Sequence, residues 1–209
     1  MSEQLLCGAA REVITPPAEM IDHLSGLMNS SFGGVVDDLY VRVIALEYAG
    51  KKMLLVSFDL DKAACPKENL EALEKETGIS KDSVLFIGIH THSAPVTGYR
   101  PHEGPNFIAR KPQIVKETTK RYEKFIQEKL LKAAHRALYE MRPAQLGFAY
   151  GESHVNVNRV AFYEVMDQTG SVHTEVSTGT NYKRPADPTL FVMKFQEMDG
   201  KPIAFFMNY

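Results

Sequence analysis

The sequence predicts an α/β fold in which helices pack on a mixed β-sheet. Short apolar runs rich in Val, Ile and Leu recur along the chain at strand length. Two stretches repeat apolar residues at intervals of three and four, which is typical of amphipathic helices. One of them separates two strand-like runs, and the order strand, helix, strand indicates a parallel βαβ unit. A chain of 209 residues with 44% apolar residues can bury one core, so we expect a single domain over residues 1–209.

The first half of the chain alternates strand-like runs with turns and one helix. Two strand-like runs, at 39–48 and 52–59, flank the turn residues Ala49-Gly50, which predicts a hairpin. Pro66 suits a first helical position and Gly78 a helix end. The next apolar run is too short for a helix and is followed by Pro95, which ends the extended segment. The predicted elements are strands at 5–14, 39–48, 52–59 and 84–89 and a helix at 66–77.

The second half contains one long helix and three further strands. Apolar positions recur at three and four as far as about Tyr139. Asp199-Gly200, between two apolar runs, is the strongest hairpin signal. The polar stretch 161–188 predicts an exposed excursion, and the Gly- and Pro-containing stretch 96–111 predicts a loop over a site. The predicted elements are a helix from Pro112 to about Tyr139 and strands at 144–150, 190–195 and 203–207.

Charge, hydropathy and cysteine content exclude several classes of protein. The net charge is −2 without a basic stripe, which disfavours nucleic acid or an anionic membrane as the main partner. The apolar runs are far shorter than the roughly 20 residues of a transmembrane helix. The N-terminus lacks the pattern of a signal peptide. Cys7 and Cys65 are too few for a disulfide framework, so we expect a reducing, cytoplasmic location.

His90-Thr91-His92-Ser93 follows the predicted strand at 84–89. Because side chains alternate along an extended chain, we expect both imidazoles to project to the same side. Two neutral imidazoles can begin a zinc site or pair one metal ligand with a catalytic histidine. In a chain with seven histidines, a chance pair is the alternative. The strand-end position favours a site, because α/β proteins place ligands there.

Two carboxylates end the preceding strand, at Asp59 and Asp61. The βαβ order places the ends of both parallel strands at one edge of the sheet, so we expect Asp59 to neighbour His90. A carboxylate there suits a metal or a hydrogen bond that orients a histidine. For Asp61, a solvated strand end is an equal alternative. We favour Asp59, because it closes an apolar run.

A third polar cluster precedes the excursion. His154, Asn156 and Asn158 alternate with valines and lead to Arg159. Amide and guanidinium groups can fix a substrate amide or carboxylate with directed hydrogen bonds. From these residues alone, a polar edge strand is the favoured alternative.

Several segments, taken together, carry a resemblance that extends over essentially the whole chain. They are Gly8-Ala9, Ile14-Thr15-Pro16-Pro17, Asp38–Arg42, Val56–Leu60, His90–Pro95 and Asn156–Arg159. In this order they resemble the N-terminal part of the neutral/alkaline (non-lysosomal) ceramidase family. Such family members are zinc-dependent amidases that cleave an N-acyl bond. The resemblance implies that the fold is the N-terminal portion of a larger catalytic domain.

The resemblance also implies roles for individual residues. His90 would be a zinc ligand. His92 would contact the metal-bound water or the developing oxyanion, and Arg159 would hold or polarise the substrate. The remaining candidates for substrate binding or for support of the ligands are Asp59, Ser93, Asn156 and Asn158.

The resemblance further implies that part of the site is missing. In the family the next zinc histidine follows an Asn-aromatic pair, which Asn208-Tyr209 match, so the sequence is expected to stop about three residues short of it. The glutamate and tyrosine ligands and the serine at the substrate belong to a later half. A catalytic zinc normally has three protein ligands and a water. We therefore expect this polypeptide alone to bind zinc weakly and to hydrolyse little.

The expected function is zinc-dependent amide hydrolysis of a small-molecule amide or a lipid such as a sphingolipid, with Zn²⁺ as cofactor. One alternative is another zinc hydrolase, a peptidase or an esterase, that uses the same strand-end site. The other alternative is a catalytically inactive binding domain on the same scaffold. A homo-oligomer is compatible with all of these.

Overall fold

The structure is a computed structural model that describes residues 4–27, 30–98 and 112–209, with side chains from residue 116 in the last range. The described chain forms a mixed seven-stranded sheet, a two-stranded sheet and helices. The predicted α/β fold with a mixed sheet is confirmed. The elements are β1 (Leu6–Val13), α1 (Ala18–Ile21), β2 (Tyr40–Tyr48), β3 (Lys51–Phe58), α2 (Pro66–Thr77), β4 (Val84–Gly88), α3 (Pro112–Tyr139), β5 (Arg142–Glu152), β6 (Val160–Met166), β7 (Val172–Thr178), β8 (Thr189–Glu197) and β9 (Pro202–Asn208).

The strand order in the large sheet is β4-β3-β2-β1-β5-β8-β9. The chain divides into two compact units, the first formed by 1–145 and 196–204 and the second by 146–195 and 205–209. It passes between the units within β5, β8 and β9. A single domain over residues 1–209 stays a prediction.

The first unit contains the predicted hairpin and the predicted βαβ unit. Strands β1, β2 and β3 pair antiparallel, and β3 pairs parallel with β4 after the crossover through α2. Leu54 pairs with Val84 and Phe58 with Gly88, so β3 and β4 end together. The positive φ of Gly78, 69°, ends α2 where the sequence predicts. The parallel arrangement therefore brings the loops after β3 and β4 to one edge.

The core of the first unit lies between α3 and the sheet. Helix α3 contacts β1 and β2, and its buried side chains follow the predicted helical spacing. The hydroxyl of Tyr122 donates to the carbonyl oxygen of Ile14 at 2.7 Å. Burial raises the pKa of Tyr122, which keeps the phenol a neutral donor. The fully buried apolar residues of α3 are Tyr122, Ile126, Leu130, Ala133, Ala134 and Ala137.

The second unit contains a hairpin within the stretch that the sequence predicts to be an exposed excursion. Strands β6 and β7 pair antiparallel from Val160 with Thr178 to Met166 with Val172. The turn between them is held by Asp167, whose carboxylate accepts from the hydroxyl and from the amide of Thr169. These hydrogen bonds, first that of the hydroxyl, lower the pKa of Asp167. The stretch 161–188 is mostly exposed as expected, and its turn chemistry closes a hairpin within it.

The described residues of the second unit bury few apolar side chains. Phe195 and Ala161 are the buried apolar residues among them. Phe148 and Tyr150 on β5 are 69% and 71% exposed and contact the ring of Phe191. This unit therefore lacks a core like that of the first unit within the described residues. Throughout the described ranges, no helix combines the length and the apolar character that a bilayer crossing needs.

Candidate metal centre

The loops after β3 and β4 run side by side beyond the strands. The amide of Ile89 donates to the carbonyl of Phe58 at 3.1 Å, and the amide of Thr91 donates to the carbonyl of Leu60 at 3.2 Å. The parallel ladder thus continues for several residues after Gly88. It places the residues around His90 next to the chain that follows β3.

The two histidines of this edge lie in contact. Nε2 of His92 is 3.0 Å from Nε2 of His90, and the ring centroids are 4.5 Å apart. The backbone that brings them together differs from the prediction. Strand β4 ends at Gly88, and His90 has a left-handed conformation with a φ of 65°. The rings therefore meet across a turn rather than by alternation along a strand.

Asp61 is the carboxylate that contacts this pair. Its Oδ1 lies 2.9 Å from Nδ1 of His90, and its side chain is 11% exposed. Asp61, His90 and His92 each offer one ligand atom, and these atoms lie within 4.8 Å of one another. Sequence reasoning proposed Asp61 only as an equal alternative to a solvated strand end. The signal available in the sequence was its spacing of two from Asp59.

Asp59 is directed to another part of the sheet. Its Oδ2 accepts from the amide of Tyr40 at 2.9 Å, and its Oδ1 pairs with the guanidinium of Arg42 on β2. The chain leaves the extended conformation after Phe58, so the two carboxylates do not face the same way as the spacing predicts. We expected the carboxylate of Asp59 to lie next to His90, but the carboxylate in that position is that of Asp61. A supporting role for Asp59 stays a prediction.

The two asparagines hold a loop of the second unit. Nδ2 of Asn156 donates to the carbonyl of Asp187 at 2.8 Å, and Nδ2 of Asn158 donates to the carbonyl of Pro185 at 3.1 Å. Residues 153–159 do not form the predicted edge strand, because these backbone and side-chain bonds replace a ladder. Substrate binding by the asparagines stays a prediction.

Two further candidates are exposed. Ser93 lies in the turn after His92, in the first unit. Arg159 belongs to the second unit, and its carbonyl accepts from the amide of Gly179 at 3.0 Å. Their proposed roles stay predictions. Of the loop predicted at 96–111, residues 99–111 lie outside the described residues.

The geometry of the histidine pair fits a zinc ion. Two nitrogen ligands at about 2.0–2.1 Å from a tetrahedral zinc lie about 3.3–3.4 Å apart. The Nε2 atoms are 3.0 Å apart, within a few tenths of an ångström of that value. A zinc on Nε2 of His90 is therefore within reach of His92, either as a second ligand or as a donor to a group at the metal. The exposure of both rings leaves room for further ligands.

Gly88 is needed for the position of the loop that carries Asp61. A Cβ at Gly88 would lie 2.5 Å from Cα and 2.6 Å from the carbonyl carbon of Lys62. These are backbone atoms, so they cannot rotate away. We expect Gly88→Ala to cost about 1–3 kcal/mol of folding free energy, as measured by urea unfolding. Gly147→Ala on β5 is the matched control, because no atom lies within 4 Å of its Cβ position. Equal effects of the two substitutions would contradict this account.

No protein-family model and no curated protein matches this sequence. Among solved structures, two ceramidases share the fold. The neutral ceramidase from Pseudomonas aeruginosa matches with a TM-score of 0.66 and 17% identity, over 99% of this chain and 32% of that chain. A ceramidase described as complexed with C2 matches with a TM-score of 0.68 and 17% identity, over 99% of this chain and 31% of that chain.

The chain thus spans about one third of the length of the structures that it matches. This partial coverage is consistent with the predicted N-terminal portion of a larger domain. At 17% identity the match shows the fold alone. The resemblance predicted from the sequence is confirmed at that level: the chain has the fold of part of a neutral ceramidase.

Proposed function

We propose that the chain carries part of the zinc centre of a hydrolase that cleaves N-acyl amides, with a sphingolipid as the first candidate substrate. The observation that supports this most is the contact of His90 and His92, with Nε2 atoms 3.0 Å apart, at a strand-end edge of a ceramidase-like fold. Clefts at the carboxyl ends of parallel strands are where α/β proteins bind ligands.

Each residue has a role that its chemistry permits. His90 would hold the metal through Nε2. A zinc ion bound there would supply an activated water near neutral pH and polarise a carbonyl. His92, which contacts Nε2 of His90, would donate a hydrogen bond to the substrate oxygen as that oxygen gains negative charge. A substrate-binding role for Arg159, which lies in the second unit, stays a prediction. Donors aimed at the developing charge lower the barrier to amide cleavage.

The described residues bring together one group of three possible ligands, Asp61, His90 and His92. A catalytic zinc normally has three protein ligands and a water, and of this group the two imidazoles are the ones that would face the metal. We propose that the remaining ligands come from outside the described residues. This agrees with a chain that spans about one third of the ceramidases whose fold it shares.

The test is zinc content by elemental analysis, on this chain and on a longer polypeptide that contains it. Both are then incubated with a series of N-acyl amides and with esters and peptides of matched acyl groups. Stoichiometric zinc together with amide cleavage, in either polypeptide, would support the proposal. Zinc with cleavage of esters or peptides alone would identify a different zinc hydrolase. If neither polypeptide contains zinc, the proposal is refuted, and a catalytically inactive binding domain is the remaining alternative. The cytoplasmic location and a homo-oligomer stay predictions.

A further inference from the structure

The geometry points to Asp61 as a positioning residue for His90. We propose that its carboxylate holds His90 in the tautomer that carries hydrogen on Nδ1, which leaves the lone pair of Nε2 for a metal. The consequence for metal binding rests on the proposed function, whereas the tautomer itself does not.

The first argument is the contact itself. Nδ1 of His90 lies 2.9 Å from Oδ1 of Asp61 and 3.4 Å from the backbone carbonyl oxygen of the same residue. A carbonyl oxygen and an ionised carboxylate only accept hydrogen bonds, so the nitrogen must be the donor. In a neutral imidazole the other nitrogen then has the free lone pair. The Asp61 side chain is 11% exposed, and a hydrogen bond shielded from water is stronger than one in solvent.

The second argument is the exposure of the ring. The side chain of His90 is 71% exposed, so packing does little to fix its orientation. Its backbone also lies in the left-handed region, where the side chain leaves the chain in an unusual direction. The bond to Asp61 therefore does much of the work of orienting the ring. The backbone on both sides of Asp61 is held in place. The carbonyl of Leu60 accepts from the amide of Thr91, and the backbone of Lys62 lies against Gly88.

The third argument excludes Asp61 as a ligand of the same metal. Nδ1 and Nε2 lie on different edges of the imidazole ring. Asp61 occupies the Nδ1 edge and His92 the Nε2 edge of His90. A metal about 2 Å from Nε2 points away from Oδ1 of Asp61. In this group the Nε2 side of His90 is available to the metal, and the carboxylate of Asp61 lies on the opposite, Nδ1 side of the ring. Carboxylates that orient histidine ligands in this way strengthen metal binding.

The test compares Asp61→Ala with Glu175→Ala, a carboxylate that contacts the exposed His173 instead. Long-range ¹⁵N–¹H NMR of the metal-free chain reports the tautomer of His90. We expect Nδ1–H in the wild type and in Glu175→Ala, and a mixture of tautomers in Asp61→Ala. We also expect zinc affinity, measured by competition with a chromogenic chelator in whichever polypeptide binds zinc, to fall by about 10–100-fold in Asp61→Ala. Asp61→Asn, whose side-chain oxygen can still accept from Nδ1, should recover part of the affinity.

Two results would overturn the proposal. An unchanged tautomer in folded Asp61→Ala would show that the carboxylate does not set it. A loss of zinc as complete as that of His90→Ala would make Asp61 a ligand rather than a positioning residue. If no polypeptide binds zinc, the proposed function fails, and the NMR comparison still decides whether Asp61 sets the tautomer. Asp61→Asn also serves as the test variant if the alanine variant fails to fold.

Discussion

Replacing His90 with alanine is expected to weaken zinc binding by more than about 100-fold, because even residues that only orient a ligand are worth about 10–100-fold. Amide hydrolysis should be lost together with the metal. In the proposed centre, the loss follows from removing the Nε2 that would bind the metal, and it does not require unfolding, because the side chain is exposed. Zinc titration and elemental analysis measure the first effect, and release of the acyl product measures the second.

Substitutions of two other histidines test whether the loss of zinc is specific to His90 or follows from removing any exposed histidine. His173 is also exposed and also contacts a carboxylate, with Nε2 3.1 Å from Oε1 of Glu175. His173→Ala should leave zinc and activity unchanged. His92→Ala should keep zinc and lose turnover, if His92 contacts the substrate oxygen. Retention of stoichiometric zinc in His90→Ala would refute the proposed centre.

Gly8→Ala is expected to cost about 3 kcal/mol of folding free energy, at the upper end of the range for overpacked cores. A Cβ at Gly8 would lie 2.0 Å from the carbonyl oxygen of Ala137 and 2.8 Å from the amide nitrogen of Met141. Both are backbone atoms at the end of α3, so relief requires the helix to move away from β1. Because whole domains are stable by about 5–15 kcal/mol, the urea midpoint should fall strongly.

The control for Gly8 is a glycine in a strand with open space around it. Gly151 on β5 has no atom within 4 Å of its Cβ position. Gly151→Ala should change the unfolding free energy little, or stabilise slightly by restricting the unfolded chain. If Gly8→Ala is as mild as this control, then α3 does not pack as closely on β1 as the structure shows.

The elements that the sequence predicts well are those governed by local patterns. Proline and glycine mark both ends of α2, and Ala49-Gly50 and Asp199-Gly200 mark two hairpins. Local chemistry decides these helix ends and turns, so a single sequence contains the information. The ceramidase-like fold was predicted in another way, through the resemblance of short motifs along the chain to those of a known family.

The details of the site depend on contacts between distant residues. Asp59 and Asp61 look alike in sequence, but Asp59 pairs with Arg42, 17 residues before it, whereas Asp61 contacts His90. The left-handed turn at His90 depends on how the loop after β4 runs beside the loop after β3. From the sequence, an edge strand is favoured for Asn156 and Asn158. In the structure their side chains instead donate hydrogen bonds to backbone carbonyls 31 and 27 residues further along the chain. Spacing alone could not reveal these partners.

The backbone of His90 has a consequence for the conformational energy of the loop after β4. A non-glycine residue in the left-handed region costs about 1–2 kcal/mol, and glycine at that position carries no such cost. His90, with a φ of 65°, therefore occupies a position whose backbone favours glycine. The rest of the fold must offset this cost, because such conformations persist only where the surrounding structure holds them.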